Sequence, residues 1–169
     1  MSMRPGARGI AGLIAAAVAG MMAVALYMQY VMLLSPCPLC MMQRIWVCLA
    51  GGVALIAFVH GKGLRVYAGV TALCCAIGAG FSLRQLYLQS LPPDQVPACG
   101  PDLEYMLNAF PLADVLKAMV MGTGNCALVD WSLFGISIAG YVLIGFIGLI
   151  FLAALQLRAA GRDAPARIR

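Results

Sequence analysis

Met41 to Val59 reads MMQRIWVCLAGGVALIAFV, an apolar run whose single charge is Arg44. A helix needs about 20 residues to cross ~30 Å of hydrocarbon. The run reaches that length if Arg44 sits at the membrane edge and snorkels toward water. Three more runs share this character, at about 9–34, 66–88 and 133–157, with Arg84 near the end of the 66–88 run placed as Arg44 is. The first run is too long for the ~7–15-residue core of a cleaved signal peptide, so it reads as a membrane helix as well.

Composition agrees. Of the 169 residues, 63% are hydrophobic and 10% charged, against ~45–50% and ~25% in soluble domains. The solvent for most of this chain is therefore lipid. The net charge of +5 does not mark a nucleic-acid surface, because the basic residues sit at the ends and in one short loop. Arg4, Arg8, Lys62, Arg65, Arg158, Arg162, Arg167 and Arg169 fall on one side of the runs. The segment from Gln89 to Asp130 carries Lys117 against Asp94, Asp102, Glu104, Asp114 and Asp130. The positive-inside rule puts both termini in the cytoplasm and the acidic loop outside. The expectation is one all-α domain over residues 1–169, a four-transmembrane-helix bundle with outer loops at about 35–40 and 89–132.

Gly12, Ala16 and Gly20, and in the last run Gly135, Gly140, Gly145 and Gly148, read as small residues that let helices pack closely. In the long loop, Leu91-Pro92-Pro93 and Pro97 impose an extended path. Leu112, Val115, Leu116 and Met119 then recur at helical spacing, opposite Asp114 and Lys117, with Gly122 and Gly124 as a stop. The spacing predicts a short amphipathic helix, Leu112 to Met121, lying on the membrane surface.

Seven cysteines divide by position. Cys48, Cys74 and Cys75 lie inside apolar runs and read as small hydrophobes. Cys37, Cys40, Cys99 and Cys126 lie in the outer loops, where four accessible cysteines in an oxidising compartment favour disulfides. Cys37-Pro38-Leu39-Cys40 is a C-x-x-C motif, a spacing used where disulfides turn over and also one that binds metals. Cys40 falls in the first turn of the second helix, where free N–H groups and the helix dipole favour a thiolate. Arg44, one turn deeper on the same face, is a candidate to stabilise that thiolate and to donate to a quinone carbonyl; the plainer reading is an interfacial anchor. Cys99, in Pro97-Ala98-Cys99-Gly100-Pro101, and Cys126 read either as a structural staple or as a labile disulfide reachable by another protein's thiol.

Cys37-Pro-Leu-Cys40 followed by Met-Met-Gln-Arg44 resembles the C-x-x-C-x-x-x-R signature of the disulfide-bond formation protein B (DsbB) family. Leu91-Pro-Pro-Asp-Gln-Val-Pro-Ala-Cys99-Gly-Pro, Tyr105-Met-Leu, Phe110-Pro-Leu, Gly124-Asn-Cys126 and Val129-Asp-Trp131 are similar to it too. The resemblance implies an inner-membrane enzyme that reoxidises a periplasmic DsbA-like thiol oxidoreductase. Cys99 of a Cys99–Cys126 disulfide would form the mixed disulfide with that partner. Electrons would pass to Cys37–Cys40, and Cys40 would deliver them to a quinone (ubiquinone or menaquinone) near Arg44. One departure stands out: Gln85 occupies the place where many members carry a histidine near the quinone, and the only histidine, His60, lies in the cytoplasmic loop. Gln85 can donate a hydrogen bond but cannot shuttle a proton near neutral pH. Arg84 reads equally as a helper at that site or as an anchor.

Two other readings compete. One is a quinone reductase resembling vitamin K epoxide reductase, although the order of the cysteine pairs along the chain favours the first family. The other is a soft-metal-binding membrane protein, given eleven methionines, although Met21, Met22, Met41 and Met42 read as apolar filling and no resident metal is expected.

Overall fold

The computed structural model describes residues 6–92, 94–98, 100 and 103–163. Six α-helices follow one another: α1 (Ala7–Tyr30), α2 (Pro38–His60), α3 (Leu64–Ser90), α4 (Leu103–Ala109), α5 (Leu112–Met121) and α6 (Ile138–Asp163). Four of them, α1, α2, α3 and α6, are long and apolar enough to cross a membrane. They pack as a ring in which α1 touches α2 and α6, and α3 touches the same two from the other side. The exposed face of the ring carries Leu13, Val24, Leu55, Leu73, Ile147 and Phe151. A belt of this kind is solvated only by lipid, and the protein is a multi-pass membrane protein.

The interior is thin, and small residues set its spacing. Phe146 of α6 is fully buried, and its ring fills the space where a Cβ on Gly78 of α3 would stand. That close approach joins α3 to α6. Gly12 packs beneath Phe58 and Gly145 beneath Met21, whereas a side chain at Gly20 or Gly148 would meet nothing. The expected packing stripe is therefore real at two of its members and idle at two.

Several helix ends differ from expectation, the last helix running on to Asp163 rather than 157. The first helix stops at Tyr30 rather than near residue 34, and the last begins at Ile138 rather than 133. Between Asp130 and α6 the chain forms a hairpin, β1 (Ser132–Leu133) against β2 (Ile136–Ser137). Its two turn residues, Phe134 and Gly135, have φ of 50° and 77°, the pattern of a tight hairpin turn with positive φ at both central positions. Gly135 thus serves a turn, not a helix contact. Tyr141 Oη donates to Leu133 O at 3.0 Å, and Ser137 Oγ donates to Gln89 Oε1 at 2.8 Å, tying the hairpin to α3.

At the other end of the bundle, Arg8 Nε donates to Phe58 O at 2.7 Å and its guanidinium lies over the Phe58 ring. The arginine satisfies a carbonyl that the last turn of α2 leaves free. His60 is the last residue of α2 rather than a loop residue, with Nδ1 2.9 Å from Tyr67 Oη. The described beginning of α1 and the end of α6 lie at this end; the cysteine-bearing connections lie at the opposite one.

Gly78→Leu is expected to lower the melting temperature of the detergent-solubilised protein, since overpacking costs about 1–3 kcal/mol. Gly52→Ala, where a Cβ meets nothing, should leave it unchanged. Equal melting of both variants would contradict the packing described.

Candidate active site

The head of α2 is built from Cys37-Pro38-Leu39-Cys40. Cys37 is the N-cap and Pro38 opens the first turn, where its fixed φ suits a helix start and its missing N–H is not needed. The N–H of Cys40 then points back to Cys37 Sγ at 3.4 Å. Cys37 Sγ in turn donates to Cys40 Sγ at 3.0 Å. The two thiols are about 1 Å beyond disulfide bonding distance, so closing the bond requires only a small side-chain rotation.

Gln85 reaches this pair from α3. It is buried, and its Nε2 lies 3.4 Å from Cys40 Sγ and 3.5 Å from Cys37 Sγ. Gln43, one turn beyond Cys40, fixes the amide by donating from Nε2 to Gln85 Oε1 at 2.8 Å. Besides the Cys37 thiol, the described polar partner of the Cys40 sulfur is thus the Gln85 amide. Arg44 turns toward α1 instead: its guanidinium donates to Gln29 Oε1, and to Ala25 O at 3.1 Å. The expectation that Arg44 sits against the sulfur is corrected to an arginine braced on the neighbouring helix.

Arg44, Gln85, Cys37 and Cys40 nevertheless line one cleft of about 120 Å³, whose apolar walls include Met21, Met22 and Val47. Arg84 is not part of it. Its Nε donates to Met121 O at 3.3 Å and its guanidinium lies over Tyr87, so it holds the end of α5. That settles the choice left open by the sequence in favour of an anchor.

Cys126 is the residue the sequence places least well. It was expected to be accessible, yet it is fully buried. A 3₁₀ turn, Gly124–Ala127, carries it under the head of α2, where it packs with Leu39 and Leu88. Cys37 packs against the same cluster. The neighbouring Cys37 thiol lowers the Cys126 pKa to about 6; the N–H groups of Leu39 and Thr123 assist, and burial opposes. The neighbouring Cys126 and Cys40 sulfurs push the Cys37 pKa up, and burial adds to the rise.

Cys99 lies outside the described residues. Its neighbours bond the turn that holds Cys126: Gly124 N donates to Ala98 O at 3.1 Å and Asn125 Nδ2 donates to Gly100 O at 3.0 Å. Cys48 is exposed on the helix surface, and Cys74 and Cys75 are buried.

The family model described as "Disulfide bond formation protein DsbB" matches residues 7–156, a span that holds both cysteine loops, α1, α2, α3 and most of α6. The chain belongs to the disulfide bond formation protein B family. Among its relatives, Disulfide bond formation protein B of Hahella chejuensis is 55% identical over 135 residues, covering 78% of this chain and 82% of its own. That of Saccharophagus degradans is 48% identical over 155 residues, covering 90% and 93%. As a member of the DsbB family, the protein is a membrane-embedded disulfide oxidoreductase.

Gln43 and Gln29 escaped the reading of the sequence. Each is an isolated amide in an apolar helix, and Gln43 lies three residues beyond Cys40 on the same face; that pairing was the signal available. In the reduced protein, the ultraviolet thiolate signal of Cys126 should persist above pH ~6 and fade as pH falls through about 6. Cys37→Ala removes the largest cause of the lowering, so the midpoint should move upward. A midpoint unchanged by Cys37→Ala would contradict the contact.

Proposed function

We propose that this protein reoxidises a periplasmic DsbA-like dithiol and passes the electron pair to a membrane quinone through Cys99–Cys126 and then Cys37–Cys40. The burial of Cys126 in one cluster with Leu39 and Cys37 carries the reading, because it brings the two pairs together. The Lys and Arg distribution supports outer loops facing the periplasm and cytoplasmic termini. In α5, Val115 is buried while Leu112 and Leu116 are exposed, so that helix has an apolar side left for the bilayer surface.

The electron route follows from the thiols. A thiolate of the reduced partner attacks Cys99 of the Cys99–Cys126 disulfide, forming a mixed disulfide and releasing Cys126 as thiolate. The N–H groups of Leu39 and Thr123 that lower its pKa make Cys126 a good leaving group while Cys37 is still bonded to Cys40. The partner's second thiol then attacks the mixed disulfide, leaves with its own disulfide, and frees Cys99. Next, Cys126 attacks Cys37 of the Cys37–Cys40 disulfide and expels Cys40. Cys99 attacks Cys126, restoring the outer disulfide and freeing Cys37. The inner pair is now a dithiol holding two electrons and two protons.

The cleft fits a quinone head. Its volume approaches the ~150 Å³ of cavities known to hold a benzene ring. It offers the Gln85 amide and an Arg44 guanidinium with more N–H groups than its two bonds to α1 consume. When bound there, a quinone supplies a lipid-soluble sink for two electrons and two protons. Gln85 holds the sulfurs in register and Arg44 orients a carbonyl oxygen. With no imidazole at position 85, the protons originate on the dithiol itself.

With a reduced DsbA-like partner, the purified protein should reduce a soluble quinone, and Cys40→Ser should abolish turnover. Arg44→Met removes a charge-assisted hydrogen bond worth about 1.5–3 kcal/mol, so KM for quinone should rise roughly 10- to 100-fold. Dithiol oxidation without quinone consumption would overturn the proposal.

A further inference from the structure

The outer end of α3 reaches both cysteine loops. Gln85 lies against Cys37 and Cys40, and Leu88 packs with Cys126. Arg84, beside Gln85 in sequence and one turn before Leu88, donates from Nε to Met121 O at 3.3 Å. That carbonyl belongs to the last residue of α5, where helix carbonyls lack intrahelical donors and a cation meets the negative end of the dipole. The guanidinium is steadied over the Tyr87 ring, 5.5 Å from its centroid.

Only Gly122, Thr123, Gly124 and Asn125 separate Met121 from Cys126, and they leave the chain little freedom. Gly122 has a φ of 82°, and a Cβ there would stand 2.8 Å from Leu39 Cδ1 and 2.8 Å from Leu88 Cδ1. The backbone thus lies directly on the two side chains that pack with Cys126. Thr123 and Gly124 are buried, and Cys126 N donates to Thr123 O at 2.9 Å. Fixing the end of α5 therefore fixes Cys126.

We propose that Arg84 is a positioning residue for disulfide exchange between the two loops. The inference rests on the proposed route through Cys126 and Cys37. In that exchange the Cys126 thiolate attacks Cys37, a Cys126–Cys37 bond forms as the Cys37–Cys40 bond breaks, and Cys40 leaves with the electron pair. Cys99 then attacks Cys126 and frees Cys37, so the disulfide moves from the inner pair to the outer one with no net oxidation. While Cys126 is a free thiolate no covalent bond fixes it. Packing on Leu39 and Leu88 and the Arg84 clamp on α5 then keep it beside Cys37. A misplacement of about 1 Å in such an attack can cost roughly 100-fold. Arg84 does not line the cleft, so oxidation of the inner pair by quinone does not depend on it.

The two steps separate in one experiment. Full-length protein, fully reduced in detergent and freed of reductant, receives one equivalent of tetramethyl-p-benzoquinone, whose ring has no open position for thiol addition. Samples are quenched in acid and their disulfides mapped by mass spectrometry. The disulfide should appear first at Cys37–Cys40 and then at Cys99–Cys126. In Arg84→Met the first step should stay within about twofold of wild type, and the second should slow about tenfold. Arg84→Lys keeps a cation at the end of α5 and should recover part of the second rate. Gly122→Ala pushes the same turn off Leu39 and Leu88 and should slow the second step alone; it decides the matter if Arg84→Met melts early.

Equal slowing of both steps would make Arg84 a residue of general stability, and unslowed transfer in Arg84→Met would mean that α5 is held without it. Either result overturns the proposal and leaves the route standing. A wild-type disulfide that forms at Cys37–Cys40 and never moves removes the route, and the role of Arg84 with it.

Discussion

The first turn of α2 is the point on which the cysteine cluster is built. A helix start leaves its first amides without intrahelical partners, and here the Cys40 N–H points at the Cys37 sulfur. Such a dipole favours negative charge on sulfur in surroundings with little water. Packing of Cys126 against Leu39 and Leu88 brings the second loop to the same turn. The rest of the molecule serves to hold that turn. Gln43 and Gln85 lock the inner face, Leu39 and Leu88 clamp Cys126, and Arg84 fixes the end of α5 above them.

This arrangement explains why an arginine so near the redox pair need not touch it. Arg44 braced on Gln29 and Ala25 has a defined position at the cost of freedom, and a fixed cation in a cleft orients a ligand better than a mobile one. Helix dipole and amide contacts hold the sulfurs, and the guanidinium remains for what enters the cleft. The two tasks fall to different groups on adjacent turns of α2.

How much of this was legible beforehand varied by element for physical reasons. The membrane helices announce themselves because hydrocarbon thickness fixes their length, and Leu112–Met121 because Pro111 and Gly122 bracket an apolar period. The hairpin did not: Leu133, Phe134 and Ile136 extend the apolar run, and only Gly135 between them signals a turn. The C-x-x-C motif located one half of the site. The burial of Cys126 was invisible, since it depends on how a long loop folds back over α2, and loop packing leaves no periodicity in sequence. Gln85 was noticed through a family resemblance, while its partner Gln43 passed as one more residue in an apolar helix. Arg84 could not be assigned until the end of α5 was seen beside it.

Direct transfer between the two loops through Cys126 and Cys37 is the central claim, and disulfide mapping of a trapped form tests it most directly. A full-length Cys40→Ser, Cys99→Ser variant, oxidised in detergent and digested under acidic conditions, retains Cys37 and Cys126 without their usual partners. The account requires a single Cys37–Cys126 disulfide in nearly all molecules. Two free thiols at these positions after complete oxidation would contradict it.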